Sequence, residues 1–287
     1  MGYYQIGTYD IGTITAANRP YDNTKVTVQS SVPLQQSGMT LFIGGAAFER
    51  YTLSASGIDI RAFSAAAAVG ETVAELSRDI PINLFTGGPC GLVGIVAEAA
   101  RYAETSVLEN FSLNSYNSLP ERKITLAAFV GTKSLEEHGM VTRCYKPGFG
   151  TSAIAAYDMH FFMDSHIQFT EVSRRYKFPR RQLPPISFAD ATLILPGSHG
   201  SLEEAFFSIA FGVPLYVVVG LGGLPDKDIN RIESVGQMRG VPVTRGTNPV
   251  ELLEQAVSDY EQRQRPISQE WEGFVSALER KVLATEF

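Results

Sequence analysis

The feature of the sequence that most constrains its fold is an alternation of short apolar runs with longer stretches of helical periodicity. Several of the runs are apolar without interruption, which is typical of strands that are buried on both faces of a parallel sheet. The runs are TLFIGG at 40–45, INLFTGG at 82–88, ITLAAFVG at 124–131, HIQFTEV at 166–172, ATLILPG at 191–197, PLYVVVG at 214–220 and VPVTRG at 241–246.

Two of the stretches between these runs have a clear apolar helical face. The residues that share a face are Leu92, Val96, Ala99 and Ala103 in 91–104, and Leu202, Ala205, Phe206 and Ile209 in 201–212. Two more helices are predicted at about 249–264 and 268–284. Strands that alternate with helices in this way predict a doubly wound, Rossmann-like α/β fold, in which a mostly parallel sheet carries helices on both faces.

The chain of 287 residues has a start that differs in composition from the rest. Residues 1–38 are polar and rich in Thr, Asn, Gly and Tyr, and KVTVQSSV at 25–32 is predicted to form one strand. We expect an N-terminal arm over 1–38 that packs on the body or on a partner subunit, with a loosely ordered terminus as the alternative. Residues 39–287 are then a single Rossmann-like α/β domain.

Charge and cysteine content argue against several classes of function. The net charge is -6 and no basic stripe is interleaved with aromatic residues, so no nucleic-acid partner is expected. No apolar run is long enough to span a bilayer and the first residues lack the pattern of a signal peptide, so we expect a cytoplasmic protein without a membrane partner. Cys90 and Cys144 make no metal-ligand or redox spacing, and neither a metal nor another cofactor is predicted.

Three of the predicted strands end in turns that contain glycine. These turns are Gly44-Gly45, Gly87-Gly88 and Gly197. The carboxyl ends of parallel strands lie at one edge of a sheet, and exposed backbone N–H groups and helix N-termini attract anions. The sequence therefore predicts a phosphate or nucleotide site on this edge. A dinucleotide-binding dehydrogenase is only weakly supported, because TGGPCG at 86–91 and GLGGLP at 220–225 both lack the Gly-x-Gly-x-x-Gly fingerprint.

The segment LILPGSHGSLEEAF at 193–206 joins one of these turns to a helix. Ser201 and Glu204 have the spacing of a capping box, with Ser201 as N-cap and Glu204 three residues into the helix. Glu204 also lies roughly opposite Leu202 at 100° per residue, as a solvated acid would. From these residues alone, a structural role is favoured for Glu204.

The same segment resembles the LONELY GUY (lysine-decarboxylase-like) family of nucleotide phosphoribohydrolases. That family carries Pro-Gly-Gly-x-Gly-Thr-x-x-Glu after an apolar strand that Ala-Asp-Ala often precedes. Here Ala189-Asp190-Ala191 leads to Pro196-Gly197-Ser198-His199-Gly200-Ser201-Leu202-Glu203-Glu204, with Ser198 and Ser201 in place of a glycine and the threonine. The resemblance covers roughly residues 39–265 and includes TGGPCGLVG at 86–94 and LFIGGAAF at 41–48.

The resemblance implies a set of site residues. Glu204 corresponds to the catalytic glutamate, and the catalytic arginine, fifteen residues before the motif proline, corresponds to Arg181. Because Phe178-Pro179-Arg180-Arg181-Gln182 replaces the family's Met-His-x-Arg-Lys, Arg180 is the alternative. His199 is a candidate to contact phosphate or protonate a leaving base, with an exposed loop residue as the alternative. The predicted substrate and phosphate contacts are Gly44, Gly45, Thr86, Gly87, Gly88, Gly197, Ser198, His199, Gly200 and Ser201.

The function implied is hydrolysis of the N-glycosidic bond of a nucleoside 5′-monophosphate, which gives the free base and ribose 5-phosphate. The partner is then a small-molecule nucleotide, and the resemblance implies a homodimer or a higher symmetric homo-oligomer. Two alternatives stay open: a non-catalytic nucleotide sensor of the same fold, and a relative that transfers the ribosyl group in a specialised pathway. Lysine decarboxylation is disfavoured, because no lysine lies in a recognisable cofactor-linking context.

Overall fold

The computed structural model describes eight ranges of the chain: 6–8, 27–30, 38–46, 57–88, 91–114, 123–132, 156–164 and 183–263. Within these ranges the strands are β1 (Ile6–Thr8), β2 (Thr27–Ser30), β3 (Met39–Gly44), β4 (Ile82–Thr86), β5 (Ile124–Thr132), β6 (Met159–Asp164), β7 (Ala191–Ile194), β8 (Leu215–Val218) and β9 (Val243–Gly246). The helices are α1 (Arg61–Leu76), α2 (Gly91–Asn114), α3 (Leu183–Phe188), α4 (His199–Ala210), α5 (Asp226–Arg239) and α6 (Pro249–Arg263).

The described strands form one sheet in the order β1-β2-β6-β5-β4-β3-β7-β8-β9. All pairs from β6 to β9 are parallel, and β1 and β2 extend the β6 edge as antiparallel strands. The predicted doubly wound, mostly parallel α/β sheet is confirmed.

Alternate residues of the central strands enter two different hydrophobic cores. Leu41 and Ile43 of β3 pack with apolar residues of α1, α2 and α6 on one face of the sheet. On the other face, Ile194 of β7 and Val217 of β8 pack with Ala205 of α4 and with α5. Because successive side chains of a strand point to opposite faces, an uninterrupted apolar run supplies both cores at once.

The sheet has its topological switch point beside β3. The chain leaves β3 through α1 to β4 on one side, whereas β7 pairs with β3 on the other side. Connections that depart in opposite directions open a crevice at the carboxyl ends of the two strands, where open α/β sheets bind ligands. In this protein the crevice lies beyond Gly44 of β3 and Ile194 of β7.

Most of the predicted elements are found within a few residues of their expected bounds. The strand predicted at 166–172 and the helix predicted at 268–284 lie outside the described residues. A strand that the sequence did not predict, β6, pairs with β5 through Ala127↔Met159 and the following residues. β2 lies within the predicted strand at 25–32, and the domain boundary at residue 38 stays a prediction.

Candidate functional site

The glycine turns after β3, β4 and β7 lie at the same edge of the sheet. Beyond β3, the Ala46 N–H donates to the Pro196 carbonyl at 3.0 Å, and the Leu195 N–H donates to the Gly44 carbonyl at 2.9 Å. At the start of α2, the Leu92 N–H donates to the Ala46 carbonyl at 3.0 Å. The expectation that these turns meet at one edge is therefore confirmed.

The carboxylate of Glu204 lies in the crevice between two of these turns. A Cβ added to Gly44 would stand 2.2 Å from Glu204 Oε2, and a Cβ added to Gly87 would stand 3.4 Å from Glu204 Oε1. Glu204 is only 3% exposed. An acid on α4 thus reaches the carboxyl ends of β3 and β4, at the position where this fold class binds its ligand.

Two predictions about the Glu204 segment are wrong. Helix α4 begins at His199 with Ser198 as its N-cap, and Ser198 makes no side-chain capping bond. Ser201 therefore lies inside the first helical turn, and it does not form a capping box with Glu204. Glu204 was also expected to be solvated, but it is buried because α4 contacts other elements on more than one face.

Contacts on opposite sides of α4 explain this burial. Towards the sheet, the Ser208 hydroxyl donates to Thr192 Oγ1 of β7 at 2.9 Å. Towards α5, the guanidinium carbon of Arg231 lies 5.2 Å from the centre of the Phe206 ring. The apolar periodicity of α4 marks only the side that faces α5 and the second core. Glu204 lies on the side that faces Gly44 at the end of β3 and Gly87 after β4.

Ser201 has a buried hydroxyl beside the turn after β7. The residue is 2% exposed, and its Oγ has no hydrogen-bond partner among the residues that the structure describes. A Cβ added to Gly197 would stand 1.7 Å from this Oγ, so Gly197 leaves the space that the Ser201 side chain fills. An unsatisfied buried hydroxyl is costly, and a ligand oxygen in the crevice can satisfy it.

The first turn of α4 adds backbone donors to the same edge. The first N–H groups of a helix have no intrahelical acceptor, and they form an anion site together with the helix dipole. Ser198 and His199 are exposed and Gly200 is half-buried, so this turn is accessible to a ligand.

Thr86 uses its hydroxyl within the fold. Its Oγ1 donates to the Gly88 carbonyl at 3.1 Å and lies 2.8 Å from the Tyr157 hydroxyl, and Thr86 is 0% exposed. These contacts hold the turn in which Gly87 approaches Glu204. A substrate role for Thr86, Gly87 or Gly88 stays a prediction, and the backbone amides are the groups that can fulfil it.

A fourth glycine turn, after β8, was missed as part of the site. Gly222 (φ 78°) and Gly223 (φ 90°) have positive φ, and a Cβ on Gly223 would stand 2.6 Å from the Gly197 nitrogen. A Cβ on Gly222 would stand 2.0 Å from the Gly57 carbonyl oxygen. The sequence signal was available, because this turn also follows a buried strand.

Glu203, the acid next to Glu204, is a second buried carboxylate that the sequence did not single out as functional. Its Oε1 lies 3.0 Å from His199 Nε2, and the side chains are 5% and 81% exposed respectively. Burial raises the pKa of Glu203, and the charge of His199 opposes that shift. The first turns of α4 therefore carry two carboxylates on neighbouring faces, of which one lies against the glycine turns and the other against a histidine.

Comparisons with known proteins yield distant structural neighbours. No protein-family model and no curated protein matches the sequence. The X-ray structure of TM1055 has a TM-score of 0.46 at 14% identity, over 78% of this chain and 99% of that one. The molybdenum cofactor binding protein from Rippkaea orientalis has a TM-score of 0.46 at 12% identity, over 77% and 96%. The molybdenum cofactor carrier protein from Chlamydomonas reinhardtii has a TM-score of 0.46 at 10% identity, over 77% and 99%.

The arginines expected at the site, Arg180 and Arg181, lie outside the described residues. Within the described part of the chain, no group of three or more His, Cys, Asp or Glu side chains is placed to hold a metal ion. No helix in the described ranges is both long enough and apolar enough to cross a membrane.

Proposed function

We propose that the protein hydrolyses the N-glycosidic bond of a nucleoside 5′-monophosphate and releases the free base and ribose 5-phosphate. The observation that carries this proposal is the position of Glu204, a 3%-exposed carboxylate held against Gly44 at the switch point of the sheet. The resemblance of residues 196–204 to the LONELY GUY family supports the same chemistry.

The chemistry of N-glycosidic cleavage explains the need for such a carboxylate. As the bond to the base breaks, the ribose ring gains oxocarbenium character and needs a nearby negative charge. A carboxylate at a crevice with little water stabilises that charge more than a solvated carboxylate would, and it can accept a proton from the attacking water. Gly44 leaves the space that the Glu204 carboxylate fills, and Gly87 leaves open the space next to Glu204 Oε1 where the ring would lie.

The 5′-phosphate is assigned to the start of α4. The N–H groups of the first turn, from Ser198 to Ser201, suit an anion in position and charge. The Ser201 hydroxyl, which is buried and without a partner among the described residues, supplies a further donor. Arg181, or Arg180 in its place, is proposed to hold the phosphate or the ribose hydroxyls, because a guanidinium forms paired hydrogen bonds with such oxygens.

A panel of substrates tests the proposal. The purified protein is incubated separately with AMP, GMP, IMP, CMP, UMP and the 2′-deoxy forms, and free base and ribose 5-phosphate are measured by chromatography. We expect equal amounts of base and sugar phosphate from at least one nucleotide, and little from the matching nucleoside without phosphate. Release of no base from any nucleotide contradicts the hydrolase.

The second candidate is a protein that binds a nucleotide without cleaving it. The observation that favours it is Ser198, whose side chain stands at the exposed N-cap of α4 where the resembled motif has glycine. In that case a nucleotide raises the melting temperature of the protein and no base is released. Transfer of the ribosyl group to another acceptor gives a third result: base is released while a ribosylated acceptor replaces free ribose 5-phosphate.

A further inference from the structure

The proposed hydrolysis gives no role to Tyr157, a buried residue beside the turn after β4. Tyr157 is 5% exposed, and its hydroxyl lies 2.8 Å from Thr86 Oγ1 and 3.3 Å from the Gly88 carbonyl oxygen. Thr86 Oγ1 donates to the same carbonyl at 3.1 Å. Two buried hydroxyls therefore contact one carbonyl of a turn that is predicted to bind the substrate.

The conformation of this turn depends on such contacts, because its glycines leave the backbone free to rotate. Gly88 has a φ of 142°, which other residues rarely adopt, and a Cβ added to it would meet no atom of the described residues within 4 Å. The next residue is Pro89, so the Gly88–Pro89 peptide carries a carbonyl oxygen but no N–H. If this peptide turned over, it would offer the crevice only a partial negative charge.

Tyr157 holds the carbonyl from the face of the sheet opposite to α4. Its ring packs in the core that contains α1 and α2, whereas α4 packs in the core on the other face. Glu204 of α4 reaches the turn from that other face, with its Oε1 3.4 Å from a Cβ added to Gly87. The Gly88 carbonyl is thus held on the side of Tyr157, away from the buried carboxylate.

The backbone on both sides of Tyr157 is anchored to α2 and β5. Arg101 of α2 donates through Nε to the Ala156 carbonyl at 3.0 Å and pairs with Asp158. The Asp158 N–H donates to the Leu126 carbonyl of β5 at 2.9 Å. Because both neighbours of Tyr157 are fixed, loss of its hydroxyl removes a contact to the turn without releasing the ring.

We propose that Tyr157 is a positioning residue for substrate binding, and that it keeps the Gly88 carbonyl oxygen away from the anionic nucleotide and from Glu204. This inference rests on the proposed function, which assigns the turn after β4 to the nucleotide. A carbonyl oxygen that faced the crevice would repel an anion at short range, where little water screens the charges. Tyr157 acts through the turn and contacts neither the nucleotide nor a reacting atom.

Tyr157→Phe tests this role, and Tyr216→Phe is its matched control. Both changes remove one buried phenol hydroxyl and keep the ring, but the Tyr216 hydroxyl donates to Asp259 of α6, at 2.6 Å, and not to a turn of the site. KM and kcat of each protein are measured with the best nucleotide. Thermal unfolding shows how much each change lowers the melting temperature.

We expect Tyr157→Phe to raise KM roughly fivefold or more and to leave kcat within about twofold of wild type, while Tyr216→Phe changes only the melting temperature. A Tyr157→Phe protein with a lower melting temperature and an unchanged KM overturns the positioning role while hydrolysis stands. An equal rise in KM for Tyr216→Phe also overturns it.

The same variants separate this inference from the proposed hydrolysis. If the wild-type protein releases no base, hydrolysis fails, and the dissociation constant of the nucleotide, measured by calorimetry, replaces KM. A dissociation constant that Tyr157→Phe raises and Tyr216→Phe does not supports the positioning role, and one that neither variant changes overturns it. A wild-type protein that binds no nucleotide overturns both proposals.

Discussion

The Glu204 carboxylate occupies the space that a side chain on Gly44 would need. An added Cβ would stand 2.2 Å from Glu204 Oε2 and 2.7 Å from Ile194 Cδ1. The carboxylate of one residue therefore lies where the side chain of the other would be, although the two residues are far apart in sequence. A larger residue than glycine at position 44 would therefore displace the carboxylate.

Gly44→Ala should reduce activity more than it reduces stability. The new methyl group displaces the end of a side chain, so the overpacking cost should stay at about 1–3 kcal/mol, but the carboxylate leaves its position. We expect a loss of kcat of at least about tenfold, since small displacements at a reacting centre are costly. Gly236→Ala of α5 is the matched control, because its Cβ would also meet a side chain, Val243 Cγ2 at 2.4 Å, but away from Glu204. Equal activity of the two variants would show that the carboxylate position does not matter.

Ser201→Ala should weaken substrate binding without destabilising the protein. The hydroxyl is buried with no partner among the described residues, so its removal should leave stability unchanged or increase it by up to about 1 kcal/mol. Loss of a hydrogen bond to a charged phosphate should raise KM by roughly tenfold or more. Ser208→Ala is the control: its hydroxyl donates to Thr192, so this variant should lose about 1 kcal/mol and keep its KM. A clear fall in melting temperature for Ser201→Ala would contradict this account.

The stability of Glu203→Gln relative to wild type should be greater near neutral pH than at acidic pH. Because burial raises the pKa of Glu203 above its usual 4.5, the folded state binds this proton more tightly than the unfolded state does. The contribution of Glu203 to stability is therefore full below pH 4.5 and is lost as pH rises through the folded pKa. Glutamine does not titrate, so the stability of the variant minus that of wild type should increase from pH 4 to pH 7. Urea unfolding at pH 4 and pH 7 measures the unfolding free energy of each protein. A variant-minus-wild-type difference that decreases as pH rises would contradict this prediction.

Arg101 should be essential for stability at the opposite edge of the sheet. Its guanidinium pairs with Glu104 and Asp158, and both carboxylates are buried. Arg101→Met removes the guanidinium that pairs with both buried acids and should cost about 3–5 kcal/mol in urea unfolding. Arg61→Met removes the exposed pair with Asp59 and should leave the unfolding midpoint almost unchanged. Similar midpoints for the two variants would contradict a structural role for Arg101.

The local chemistry of the chain was sufficient to predict the edge on which the site lies. Strands that end in glycine, such as those before Gly44 and Gly197, have to place those turns at the carboxyl edge of a parallel sheet. The contact between Glu204 and Gly44 could not be predicted in the same way. It depends on how α4 lies on the sheet, and the apolar residues of α4 indicate only the sides that face α5, β7 and β8.

Two other differences between the sequence-based predictions and the structure also depend on tertiary contacts. The sequence MHFFMD of β6 mixes aromatic and charged residues, and its strand conformation is set by pairing with β5 and β2, which are distant in the chain. The spacing of Ser201 and Glu204 suits a capping box, but a helix can begin earlier where tertiary contacts favour it. Here the turn at Gly197 and Ser198 sets the start of α4 at His199.

The most direct test of the account compares Glu204→Gln with Glu104→Gln in single-turnover hydrolysis of the best nucleotide. Glu104 is also a buried carboxylate, at 7% exposure, but it accepts the Ile124 N–H at the amino end of β5, away from the site. Per folded molecule, Glu104→Gln should cleave at the wild-type rate. Glu204→Gln should bind the nucleotide and cleave it roughly 10²–10⁴-fold more slowly. Cleavage by Glu204→Gln at the wild-type rate would contradict the central claim that this carboxylate carries the reaction.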